Sequence, residues 1–214
     1  GRFFPDGQLN EQVYAVDGPE SPAAHPINFP IKPTHKKNGK PYLLLLTSED
    51  GHPESLSLAH SPVGVVSLPV LFSNHFWPEE GDWMRSVELD QAEQMALTDI
   101  AERTKTYFGL QQTDMISIGE DCSAARLVND TQLVEQAAEQ LSSLCRQYKV
   151  SDLVTAYLPV GFWSSHFERL QVHPLLKDMH WHLVMRDFDR QSWPSATKGF
   201  FPFKSKIPGW LSKA

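Results

Sequence analysis

From residue 41 onward, short apolar runs alternate with longer amphipathic stretches, and this alternation constrains the fold more than any other feature of the chain. Tyr42-Leu43-Leu44-Leu45-Leu46-Thr47 is apolar along almost its whole length and stops at Ser48-Glu49-Asp50-Gly51. A strand with one wet face would alternate. A continuous run has to be covered on both faces, as in a parallel sheet sandwiched by helices. Val63-Gly64-Val65-Val66-Ser67-Leu68 is a second such run. Asp90 followed by Glu93 resembles a helix-capping box, Ala92, Ala96, Ile100 and Thr104 continue at helical spacing, and Gly109 is a natural stop. Met115-Ile116-Ser117-Ile118 predicts a brief strand running into Gly119-Glu120-Asp121. A helix capped at Asn129 or Asp130 should bury Val134, Ala137, Leu141, Leu144 and Tyr148. Leu153 to Tyr157 reads as a strand, Trp163 to Leu170 as a helix, and Trp181 to Met185 as a last strand ending in Arg186-Asp187. Strands that alternate with helices need crossover connections. The expected fold class is therefore α/β, a Rossmann-like open parallel sheet with helices on both faces.

The 214 residues suffice for one domain with a sizeable core, and 41% hydrophobic against 21% charged residues excludes a disordered chain. Residues 1–40 carry Pro5, Pro19, Pro22, Pro26, Pro30 and Pro33, too many for a helix or a central strand. They read as an extended arm on a domain surface or as an interdomain connector. The α/β domain is expected over 41–194 and a C-terminal aromatic and basic segment, packing on it, over 195–214. The opening GRFFPDGQLN has neither the apolar core of a signal peptide nor a starting Met, so a fragment or processed product is expected. No apolar run approaches the ~20 residues of a membrane span. Cys122 and Cys145 match no metal or redox spacing and suit a reducing cytoplasm. With 19 basic against 26 acidic residues the formal charge is -7, unlike a dedicated nucleic-acid binder.

In an open parallel sheet the loops after the strands gather at one edge, where ligands usually bind. That edge should collect Ser48, Glu49 and Asp50, then Glu120 and Asp121, then Pro159 and Gly161, then Arg186 and Asp187. No G-x-G-x-x-G follows a strand, no G-x-x-x-x-G-K-[ST] is present, and no G-x-S-x-G elbow presents a serine. His180 and His182, two apart on a strand, point to one face, but no Cys or His cluster supplies the other ligands that zinc needs. Their expected role is on an edge or half-exposed strand, with no metal. Two alternatives remain. One is a stand-alone small-molecule enzyme using Glu49, Asp50 or Asp187 for acid-base work, with Arg186 holding an anion. The other is an interaction module docking through Phe200 to Phe203.

The last quarter is the most unusual part. RDFDRQSWP packs charges and aromatics densely, and from Ser195 onward there are four lysines and no acid. Phe200, Phe201 and Phe203 sit on what reads as a Pro- and Gly-punctuated loop, and are too apolar for a free tail. Their burial, against this domain or another, is expected. The stretch RDFDRQSWPSATKGFFPFKSKIP, with TAYLPVG before it, resembles the α/β domain of a group of bacterial photolyase/cryptochrome-like flavoproteins. In that group the helical FAD-binding domain comes first in the chain. GRFFPDG resembles the junction after that domain, PYLLLLTSEDGHPES the first strand and loop, and ALTDIAER the first long helix. The resemblance implies an accessory domain of a DNA photolyase-like protein, a lyase as a whole, that is not catalytic in isolation. It implies that FAD is bound by the helical partner domain and not by this chain, and that DNA is met only through the parent. Trp77, Trp83, Trp163, Trp181, Trp193 and Trp210 would then stand outside the electron-transfer chain. An antenna chromophore of unspecified identity could sit at the strand-end edge, on Ser48, Glu49, Asp50, Glu120, Pro159, Gly161 and Arg186.

Overall fold

The computed structural model describes residues 39–68, 87–112, 115–117, 130–158, 162–198 and 200–212. The arm expected over 1–40 falls outside them except for its last two residues, as do Glu120, Pro159 and Gly161. The strands are β1 (Tyr42–Thr47), β2 (Gly64–Leu68), β3 (Met115–Ser117), β4 (Asp152–Ala156) and β5 (His180–Val184). The helices are α1 (Val87–Phe108), α2 (Asp130–Tyr148), α3 (Phe162–Gln171), α4 (Asp187–Ser192), α5 (Phe200–Lys204) and α6 (Ile207–Leu211). The five strands form one all-parallel sheet in the order β3-β2-β1-β4-β5. This is the expected Rossmann-like α/β class.

The continuous apolar run becomes the central strand, and its two faces meet different partners. Leu43 and Leu45 pack with Val134, Ala137 and Leu141 of α2 and with Phe167 and Leu170 of α3. Tyr42, Leu44 and Leu46 pack on the opposite face with Ile100 of α1 and with Leu56 from the loop after β1. Every residue of β1 is buried. The connection from β1 to β2 contains only a single 3-10 turn, Pro53–Ser55, and covers its face with Leu56 and Leu58 instead of a helix.

Two details of α1 differ from expectation. Asp90 and Glu93 lie inside the helix, which starts at Val87, so they are not a capping box. The buried stripe is Leu97, Ile100 and Thr104, while Ala92 and Ala96 face solvent. Alanine spacing alone does not say which side of a helix is covered. Gly109, at φ +67°, ends α1 as expected, with the Leu110 amide donating to the Lys105 carbonyl at 3.0 Å. The end of α2 has the same geometry. The Val150 amide donates to the Cys145 carbonyl at 3.0 Å, but the left-handed position, φ +54°, is occupied by Lys149. A side chain there costs about 1 kcal/mol. Lys149→Gly should accordingly raise the melting temperature by roughly 2–4 °C for a domain of this size, which a thermal melt followed by circular dichroism would read.

The C-terminal segment is helical rather than a loop, and this corrects the burial expected for its phenylalanines. Phe200 is 65% and Phe201 79% exposed. Phe203 is half-buried against Trp210, with ring centroids 5.0 Å apart. The short helix α5 turns only one of the three inward, because consecutive positions on a helix face different directions. Among the described residues no helix is long and apolar enough to cross a membrane.

Candidate functional site

From β1 the chain steps outward to β2 and β3, then crosses back past β1 to β4 and outward again to β5. The loops after β1 and β4 therefore leave in opposite directions and open a crevice between them, the usual ligand position in open α/β sheets. A cavity of about 140 Å³ occupies that position. Glu49 and Asp50 border it from the β1 loop, Tyr157 and Leu158 from the end of β4, and Arg186 and Asp189 from the segment after β5. Trp193, at the end of α4, closes one side and meets the Tyr157 ring edge to face at 5.6 Å.

The β1 loop is held from both flanks by arginines. Arg186 pairs through Nη2 with Asp50 Oδ1, donates to the His52 carbonyl at 2.7 Å, and donates through Nε to the Ser55 hydroxyl. Arg103, on α1, pairs with Glu54 and with Asp99, and donates to the Gly51 carbonyl at 2.7 Å. Asp50 also folds the loop locally, its Oδ1 accepting from the His52 amide at 3.2 Å. The second oxygen, Oδ2, is buried and has no hydrogen-bond partner.

Ser48 donates its hydroxyl to Glu93 of α1. Glu49 stands near the same carboxylate, and burial first, with repulsion from Glu93 second, pushes its carboxyl above the usual range. No histidine is among the described residues that border the cavity, so a serine-histidine relay has no base there. Arg186 is turned toward the loop and not toward an incoming anion. Asp187 pairs with Arg190 and accepts from the Ser57 hydroxyl at 3.0 Å, and it does not border the cavity.

Four of the seven expected site residues, Ser48, Glu49, Asp50 and Arg186, thus come together at the strand ends, although Ser48 faces α1. Glu120, Pro159 and Gly161 lie outside the described residues. Sequence reasoning missed Tyr157, Asp189 and Trp193 as cavity residues and Arg103 and Glu93 as supports. A signal existed for part of this. Arg186, Asp189 and Trp193 follow the i, i+3, i+7 spacing of one helix face.

The histidine pair takes up an acid instead of gathering metal ligands. β5 is an edge strand, and His182 Nε2 lies 2.6 Å from Asp152 Oδ1 while His180 is 3.9 Å from Oδ2. Among the described residues no three His, Cys, Asp or Glu side chains converge to hold a metal. Burial pushes the Asp152 carboxyl up, but hydrogen bonds from His182 and Ser151, with the nearby histidine charges, outweigh it and leave it below the usual range. A carboxyl lowered by folding stabilises the fold above its unfolded pKa of about 4, and that contribution is lost as pH falls through the lower folded value. Asp152→Asn should lower stability at neutral pH by about 1–3 kcal/mol. It should also flatten the acid limb below about pH 4, both readable from urea melts at several pH values. Burial pushes the Cys145 thiol up to about 11, which makes it packing and not a nucleophile.

Fold and site together define an open parallel α/β domain with an acidic, aromatic-walled crevice at its switch point. No family model, curated protein or solved structure matches the chain.

Proposed function

We propose that the chain is a non-catalytic accessory α/β domain of a photolyase-like flavoprotein, and that its C-terminal helices dock onto the helical FAD-binding domain. The observation that carries this is the open aromatic surface. Phe200 and Phe201 stack edge to face at 5.6 Å and remain exposed, and Leu211, on the next helix α6, is 62% exposed. Phe188 of α4 packs its edge on Trp210 at 6.2 Å and is itself 42% exposed. Exposed large aromatics clustered in one short stretch are typical of a contact surface and atypical of a monomer's exterior. Lys204 and Lys206 are exposed on the same segment, which has no acid, so the fitting partner is an apolar surface rimmed by acidic groups.

The crevice favours an accessory role over a catalytic one. Its arginine is committed to Asp50 and the β1 loop, and no nucleophile–base pair is among its described lining residues. At about 140 Å³ it is smaller than the ~300–1,000 Å³ of ordinary cofactor clefts, which counts against a whole flavin. FAD, and DNA with it, belong to the partner domain in this account. The near-UV and visible spectrum of the purified chain tests this after incubation with FAD, deazaflavin and reduced folate. The chain should retain no FAD, and stoichiometric FAD retention would contradict the proposal. Stoichiometric uptake of folate or deazaflavin would give the strand-end edge the antenna role.

A further inference from the structure

The crevice at the switch point carries an imbalance that the docking account does not use. Glu49, Asp50 and Asp189 border it with Arg186, the one basic side chain among its described lining residues. Arg186 is already engaged by Asp50 Oδ1, the His52 carbonyl and the Ser55 hydroxyl. Its charge is therefore matched by Asp50, and among the described lining residues no other lysine or arginine stands against Glu49 and Asp189. Asp50 Oδ2 is buried away from solvent, so Asp50 contributes negative charge to the wall and not an open acceptor. The same cavity is bordered by the rings of Tyr157 and Trp193, which meet edge to face with centroids 5.6 Å apart and add aromatic surface to its lining. Leu158 and Val184, both nearly fully buried, back the cavity with apolar surface.

We propose that this crevice is a binding site for a small organic cation, a flat amidinium or guanidinium group or a protonated amine on an aromatic ring, held between the Glu49, Asp50 and Asp189 carboxylates and the Tyr157–Trp193 wall. The chemistry is complementary at each point. N–H donors of the cation meet the Glu49 and Asp189 carboxylate oxygens, and its flat body lies against an aromatic ring. The raised carboxyl of Glu49 supports this, since an acid crowded by burial and by Glu93 is relieved by an incoming positive charge. The size fits a single-ring molecule and not a dinucleotide. An anionic ligand would have to break the Arg186–Asp50 pair and then face the remaining acids.

The test uses three probes of nearly one shape: benzamidine, neutral benzamide and anionic benzoate. The indole N–H resonance of Trp193, assigned through Trp193→Phe, reports occupancy in a two-dimensional amide spectrum of the whole chain. Benzamidine should shift it saturably, benzamide should bind at least tenfold more weakly, and benzoate and inorganic phosphate should leave it unchanged. Glu49→Gln and Asp189→Asn should each weaken benzamidine several-fold with the melting temperature preserved, so that lost binding is not confused with lost fold. The proposal is overturned if benzoate or phosphate binds in preference, if benzamide binds as tightly as benzamidine, or if no probe shifts the resonance. The titration reads the chain alone, so its outcome is independent of whether the aromatic C-terminal surface docks onto a flavin domain.

Discussion

Replacing Arg186 by methionine should destabilise the domain by about 2–4 kcal/mol, the largest loss expected from any single polar substitution described above. The residue ties the end of β5 to the β1 loop through Asp50, the His52 carbonyl and Ser55. The side chains of Arg186 and Asp50 are 25% and 13% exposed, so the pair is mostly withdrawn from water. Removing the guanidinium leaves a mostly buried carboxylate with neither oxygen paired to a cation, and that uncompensated charge dominates the loss. Lysine should rescue only in part, because a single ammonium cannot reach carboxylate, carbonyl and hydroxyl with a planar fork. Adding Asp50→Asn to Arg186→Met should restore a share of the stability, since the stranded charge is then gone. Urea melts of the wild type, Arg186→Met, Asp50→Asn and the double variant read the coupling directly. A loss below about 0.5 kcal/mol in the single variant would mean that the clamp is an ordinary surface ion pair.

The second large effect concerns association and leaves the fold alone. Phe200→Asp with Phe201→Asp should cut binding to the helical flavin domain by more than a hundredfold. Two exposed aromatics at an interface centre each contribute roughly 1–2 kcal/mol or more, and carboxylates add a desolvation cost. Because both rings are exposed, the melting temperature of the isolated chain should change by less than about 2 °C. A steep drop in melting temperature would instead mean that the rings serve this domain's own packing.

The sheet was legible because β1 is apolar at consecutive positions, and only a central strand covered on both faces can use such a run. All five strands were readable from their short β-rich runs, and α2 from a stripe of larger apolar residues. What the sequence hid has a common cause, namely residues whose role depends on a partner distant in the chain. Glu93 looked like a cap because Glu three positions after Asp is a local pattern, yet its partner is Ser48. Arg186 looked like an anion ligand because it follows a strand, yet its charge is taken by Asp50, 136 positions away. The phenylalanines of α5 were expected to be buried because apolar residues usually are. A five-residue helix cannot turn them all one way, and that leaves the surface on which the docking proposal rests.

The central claim is that this domain completes itself on a helical flavin partner, and sedimentation velocity tests it most directly. The chain is mixed with a helical FAD-binding domain from a photolyase of the reversed domain order, and the 450 nm absorbance of the flavin is followed through the boundary. The account predicts a single faster boundary carrying both the flavin colour and this chain in equal amounts, lost when Phe200 and Phe201 are both aspartate. Two independent boundaries at micromolar concentrations, with the flavin unaccompanied, would contradict it.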